Sequence, residues 1–111
     1  MTTDKTTQAL AYFSAFSDKN LGLLEFMFSD SVSLVDWEVS AYGIEQVLAA
    51  NQKIFDSVKS LNIVVKNIAQ TGNTVLAEIQ VVIDDTMVIN VVDIIEFDLY
   101  NKIDKISAYK Q

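Results

Sequence analysis

The chain contains no cysteine, no histidine, no arginine and no proline, and only three glycines among 111 residues. Without cysteine there are no disulfides and no thiol chemistry. Without histidine as well, the usual zinc ligand sets and every pairing of a nucleophile with a histidine are absent. Proton chemistry is left to carboxylate, tyrosine and lysine, with no metal. Missing arginine removes the bidentate phosphate clamp, and a net charge of −7 repels anionic polymers and anionic membrane surfaces. Neither a nucleic-acid nor a membrane partner is expected. No run approaches the ~20 apolar residues that span a bilayer, and the opening stretch MTTDKTTQ is polar, unlike the apolar core of a signal segment. A cytoplasmic protein is expected.

Half of the residues are hydrophobic. A chain of this size buries roughly 65% of its unfolded surface around one core, so a single domain over residues 1–111 is expected. Helical spacing dominates the first half and strand alternation the second, which reads as an α+β fold. Ala9, Tyr12, Phe13 and Phe16 recur at i, i+3, i+4 and i+7, one buried face of a helix over residues 4–17 with Thr2 or Thr3 as its cap. A short helix over 21–28 follows Asn20, and a short strand over 31–36 ends in Asp36. Residues 37–42 read as a loop. Across 43–58, Ile44, Val47, Leu48, Ile54, Phe55 and Val58 share a stripe on which Asn51 is the one strongly polar member. Strands follow over 61–71, 73–84, 86–98 and 102–110, with hairpin turns at Gly72-Asn73 and Asp84-Asp85. They form an antiparallel meander covered by the helices on one side.

In the third of these strands, VINVVDIIEFD, alternation puts Met87, Ile89, Val91, Asp93, Ile95 and Phe97 on one face. Asp93 is the one polar group there. An unpaired carboxylate in such surroundings takes up a proton, its acidity weakened by up to ~3–5 pKa units, unless Lys66 pairs with it or a bulge turns it outward. Tyr12 points inward, either as a core aromatic or as a pocket donor. Asp36 either caps the turn that follows or faces a pocket. Asn51 is either a buried amide satisfied by backbone or a ligand contact, and Trp37 is either a pocket lid or core.

The outer faces of the strands, with Val82, Val88, Val92 and Ile94, are more apolar than a small monomer leaves in water. That pattern predicts a homodimer through the outer sheet face.

The order of elements resembles the nuclear transport factor 2-like (cystatin-like) fold, a cone with an apolar pocket between a curved, mostly antiparallel sheet and N-terminal helices. The stretch YFSAFSDKNLGLLEFMFSDSVSLVD resembles, without a gap, the segment of ketosteroid isomerases that runs from the oxyanion-hole tyrosine to the aspartate base. The stretch DIIEFDLYNKIDKISAY resembles the later strand pair of that family and of SnoaL-like polyketide cyclases. The resemblance implies Asp36 as base, with Tyr12 and a protonated Asp93 as donors to the oxyanion. An aspartic acid kept neutral by apolar neighbours is a feature of ketosteroid isomerase itself. Phe13, Phe16, Phe28 and Trp37 are implied as pocket residues, as are Asn51, Phe55, Val91 and Ile95. Phe28 and Asn51 stand where the isomerases carry supporting tyrosines, and Trp37 stands where a proline usually follows the base.

The function implied is a cofactor-independent isomerase or cyclase. It would move a proton alpha to a carbonyl on a small apolar carbonyl-containing molecule. The alternative is a non-catalytic small-molecule-binding or dimerisation module of the same fold.

Overall fold

The computed structural model describes residues 4–111. Three helices and six strands follow in the order α1 (Lys5–Ser17), α2 (Leu21–Met27), β1 (Phe28–Val35), β2 (Ser40–Tyr42), α3 (Ile44–Ser57), β3 (Leu61–Thr71), β4 (Thr74–Ile83), β5 (Met87–Phe97) and β6 (Ile103–Lys110). The strands form one sheet in the order β2-β1-β6-β5-β4-β3. Every neighbouring pair is antiparallel except β1 and β6, which run parallel. The helices pack on one face of this sheet, in the α+β arrangement that the chain order predicts. Among the described residues no helix is long and apolar enough to cross a membrane.

The helix ends decide how α1 and α3 sit beside each other. The expected caps Thr2 and Thr3 lie outside the described residues, and the observed N-cap of α1 is Asp4, whose Oδ1 accepts from the Thr6 amide at 2.9 Å. At the other end Lys19 adopts φ 54. The Asn20 amide bonds to Ala15 O at 2.9 Å and the Lys19 amide to Phe16 O at 3.1 Å, the Schellman closure normally made with glycine. A lysine stands there because its side chain does a second job. Its Nζ donates to Phe55 O, Val58 O and Lys59 O at 2.9, 2.6 and 3.2 Å, capping the carbonyl end of α3. One residue therefore closes two helices and fixes Tyr12 of α1 relative to Asn51 of α3. Asn20 caps α2, as expected, through Oδ1 and the Leu23 amide.

Two corrections apply to the first half of the chain. β1 begins at Phe28, three residues earlier than alternation suggests, and residues 40–42, read as loop, form β2. β2 pairs with β1 through Ser33↔Tyr42, Leu34↔Ala41 and Val35↔Ser40. A three-residue strand is too short to show a period of two.

The β3 to β6 meander is regular apart from bulges at Lys66 in β3 and near Phe97. The β4–β5 turn places both Asp84 and Asp85 at positive φ, 55 and 61, the hand that matches strand twist. Asp84 holds the turn to the end of α3, its Oδ1 accepting the amides of Lys59 at 2.7 Å and Ser60 at 3.0 Å. Those two amides, Ser60 first, hold its carboxyl below the ordinary aspartate range.

The inner sheet face changes along β5. Ile95 is sealed, with Val75 and Ile106 opposite it on the neighbouring strands, in a core that also holds Ile103, Phe13, Leu24, Phe28 and Phe55. Each such side chain contributes about 1.5–3 kcal/mol by leaving water, so this end is a close-packed wall. Toward the β4–β5 turn the same face opens: Ile89 is half-buried and Met87 is 56% exposed. Asp93 lies between the sealed end and the open one.

Candidate active site

A cavity of about 420 Å³ occupies the open end of the cone, between the inner sheet face, α1, α3 and the turn after β1. That volume suits a small organic molecule. Tyr12 from α1, Asp36 from the end of β1 and Asp93 from β5 all line it, with Phe16, Trp37, Asn51 and Val91. Phe13, Phe28, Phe55 and Ile95 do not line it. They are core residues, between 0% and 4% exposed, that pack behind the wall. Phe13 and Phe28 set the Tyr12 ring from behind, with centroids 5.5 and 6.1 Å away, and Phe55 meets Phe16 edge-on at 5.1 Å.

The sheet register explains why space exists at Asp93. Its cross-strand neighbours are Ala77 on β4 and Ala108 on β6, so the carboxyl stands between two methyl groups. Val91, one step along the same face, lies opposite Ile79 and Lys110. The ladder is unbroken from Asp93 to Ala77 and Ala108, so no bulge turns the side chain outward. Lys66 sits in the β3 bulge and is exposed. The one ion pair among the described residues joins Lys105 and Glu96 at 3.8 Å. Asp93 therefore has no cationic partner among them. It is 7% exposed. Burial, followed by the negative charge of Asp36, pushes its carboxyl up to about 7.

Tyr12 is 5% exposed, and its ring is held among Phe13, Phe16 and Phe28. Burial first, then Asp93 and Asp36, raise its pKa far above the ordinary tyrosine value. Such a phenol keeps its proton and is available as a donor.

Asp36 is fixed by its own turn. Its Oδ1 accepts the amides of Glu38 and Val39, both at 2.7 Å, and its amide donates to Val39 O at 2.9 Å. This is the capping role the sequence left open, and it coexists with a place on the cavity wall. One oxygen holds the turn, and the second has no partner among the described residues. A carboxylate clamped this way loses little freedom when it meets a ligand.

At the mouth Trp37 is 43% exposed, with Lys110 Nζ 5.9 Å from its ring centroid. It borders the cavity and does not fill it. Lys110 also lines the cavity, though no motif in the sequence marks it. Alternation along β6 carries the signal, because Ile106, Ala108 and Lys110 share the inner face, but a lysine near the end of the sequence draws no attention by itself.

No family model and no curated protein sequence matches the chain. Solved structures do. A candidate SnoaL-like polyketide cyclase from Shewanella denitrificans superposes with a TM-score of 0.87 at 14% identity, covering 96% of this chain and 90% of the other. A nuclear transport factor 2-like protein of unknown function from Cytophaga hutchinsonii gives 0.83 at 14%, covering 100% and 93%. A candidate ketosteroid isomerase from Kribbella flavida gives 0.83 at 12%, covering 96% and 77%. At such identities the likeness is one of fold, and that fold hosts many functions. The chain has the nuclear transport factor 2-like fold shared by SnoaL-like and ketosteroid isomerase-like proteins, as the resemblance in its sequence implied.

Proposed function

We propose that this protein is an isomerase- or cyclase-like enzyme. It moves a proton on the carbon next to a carbonyl of a small, mostly apolar molecule and needs no cofactor. The observation that carries this reading is a largely apolar cavity whose wall combines a carboxylate fixed by its turn with two proton-bearing donors, Tyr12 and Asp93. Asp36 takes the proton from carbon. The electron pair of that C–H bond moves onto the carbonyl oxygen, where Tyr12 and neutral Asp93 donate to the developing charge. Returning the proton to a different carbon completes an isomerisation. Attack of the enolate carbon on a second carbonyl of the same molecule forms the ring bond, and the oxygen that gains the electron pair takes the proton held by Asp36, which completes a cyclisation.

The distribution of charge suits these roles. Asp36 carries the negative charge that both donors feel. Tyr12 and Asp93, held neutral in the same wall, can bind an oxygen that becomes negative. The cavity is open with Trp37 and Phe16 at its sides, which favours turnover over a plugged, non-catalytic module. The absence of redox-sensitive cysteine is compatible with a cytoplasmic setting. The test is NMR of α-proton exchange in deuterated water with cyclic ketones of ten or so carbons. Exchange dependent on catalytic amounts of protein supports the reading, and ligand binding without exchange favours the binding module.

Assembly belongs to the same proposal. On the outer sheet face Val82 lies opposite Val88, Leu76 opposite Ile94, and Val92 opposite Tyr109. Val88 and Tyr109 are more than half exposed. Two carboxylates of this face are already engaged, Glu96 with Lys105 and Glu78 with Asn67 at 2.6 Å. Light scattering at micromolar concentration is expected to give twice the chain mass, and Val88→Lys with Ile94→Lys to give a monomer. A wild-type monomer would contradict this assembly.

A further inference from the structure

Asn51 is buried more completely than either aspartate of the site, at 1% exposed, and it lines the cavity from α3. Neither its Oδ1 nor its Nδ2 has a hydrogen-bond partner among the described residues. The backbone does not satisfy it, which settles one of the alternatives left open by the sequence. Nor does it join the Tyr12, Asp36 and Asp93 group, since no hydrogen bond connects it to any of the three. Leaving a buried amide unpaired is costly, whereas leucine at this helical position would carry no such cost and would match Val47 and Phe55 on the same stripe. An amide left without a partner inside the protein, on a residue that lines the cavity, points to a partner that arrives with a ligand.

Resting on the reading of this cavity as a substrate site, we infer that Asn51 is a specificity residue for a hydroxyl group on the substrate, separate from the carbonyl that reacts. The chemistry of the amide selects that group. Nδ2 must donate and Oδ1 must accept, and a hydroxyl is the smallest group that does both at once. A second carbonyl would satisfy only Nδ2. A carboxylate would face the negative charge of Asp36 in the same cavity. The ligand is therefore a neutral hydroxy-carbonyl compound, oriented by two contacts: its carbonyl at Tyr12 and Asp93, its hydroxyl at Asn51. A site built around a hydroxyl rejects the analogue that lacks it, because the amide is then left unpaired.

The test uses 2-naphthol, whose single hydroxyl stands in for the enol at Tyr12 and Asp93, and the set of dihydroxynaphthalenes that add one hydroxyl at each other ring position. Dissociation constants are measured by fluorescence titration on the wild type, Asn51→Leu and Asn51→Ala. At least one diol is expected to bind the wild type about tenfold or more tightly than 2-naphthol. In both variants that preference is expected to fall to within about twofold, with 2-naphthol bound to Asn51→Leu at least as well as to the wild type. The melting temperature of ligand-free Asn51→Leu is expected to equal or exceed that of the wild type.

No diol preference in the wild type, or the same preference in the variants, overturns the inference. A melting temperature lowered by about 5 °C or more in Asn51→Leu also overturns it, since the amide would then serve the fold. These readouts concern binding and stability only. A diol preference that depends on Asn51 in a protein showing no α-proton exchange would refute the proton-transfer reading and leave this one standing.

Discussion

Asp36→Asn is expected to lower α-proton exchange by about three orders of magnitude or more while leaving a phenol bound as tightly as before, or more tightly. The amide cannot act as a base, and positioned general bases contribute roughly 10²–10⁴-fold. The fold should be unaffected, because the amide oxygen of asparagine can still accept from Glu38 and Val39, the two bonds that hold the turn at 2.7 Å. Removing the Asp36 charge also removes one of the causes that raise Asp93 and Tyr12, so both donors become slightly more acidic. Stronger donors bind a phenol better. Parallel exchange and binding assays on the variant check this. Unchanged exchange would remove Asp36 from the mechanism, and a loss of binding as large as the loss of exchange would mean that it positions ligand instead.

The second large effect is on stability and depends on pH. Burial raises the Asp93 carboxyl from 3.8 to about 7, so the folded protein holds a proton that the unfolded chain releases across that interval. Stability from the neutral acid is fully present below about pH 4. It is lost as pH rises through about 7, after which the folded state carries a buried charge without a cation beside it. Linkage sets the loss at up to roughly 4 kcal/mol for this single group. Asp93→Asn keeps the shape and cannot ionise. At pH 8 it is expected to be roughly 2–4 kcal/mol more stable than the wild type, and at pH 4 to be within about 1 kcal/mol of it. Urea unfolding of both proteins at the two pH values measures the difference directly. Equal stabilities at pH 8 would show that Asp93 ionises without cost.

Much of this arrangement is written locally in the chain. Ala9, Tyr12 and Phe13 are buried because helical spacing puts them on one face, and the β-branched run from Met87 to Phe97 alternates as strands must, which delivers Asp93 to the inner face. The hairpins follow from Gly72 and from two aspartates that tolerate positive φ. What local pattern does not carry is depth. Phe13, Phe28, Phe55 and Ile95 share inward faces with true cavity residues, and only the register reveals which positions have space in front of them. The space at Asp93 comes from Ala77 and Ala108, one on each neighbouring strand, which no window along β5 contains.

Non-local pairing is equally invisible. The parallel contact of β1 with β6 joins residues some 70 positions apart, and it is this contact that brings Asp36 into the same cavity as Asp93. The resemblance to ketosteroid isomerases implies that juxtaposition, which no local pattern carries. Asn51 illustrates the remaining gap. Its stripe position foretold burial, but whether a buried amide is satisfied depends on atoms from elsewhere in the fold.

Carbon-detected NMR of the aspartate side-chain carboxyls shows whether Asp93 is a neutral acid in the cavity wall it shares with Tyr12. With the assignment made by loss of a signal in Asp93→Asn, this carboxyl is expected to stay protonated at pH 5.5 and to titrate near 7, with a midpoint that moves down in Asp36→Asn. A midpoint near the ordinary value of about 4, unmoved by Asp36→Asn, would make Asp93 an ionised carboxylate and contradict its role as a donor to the developing oxyanion.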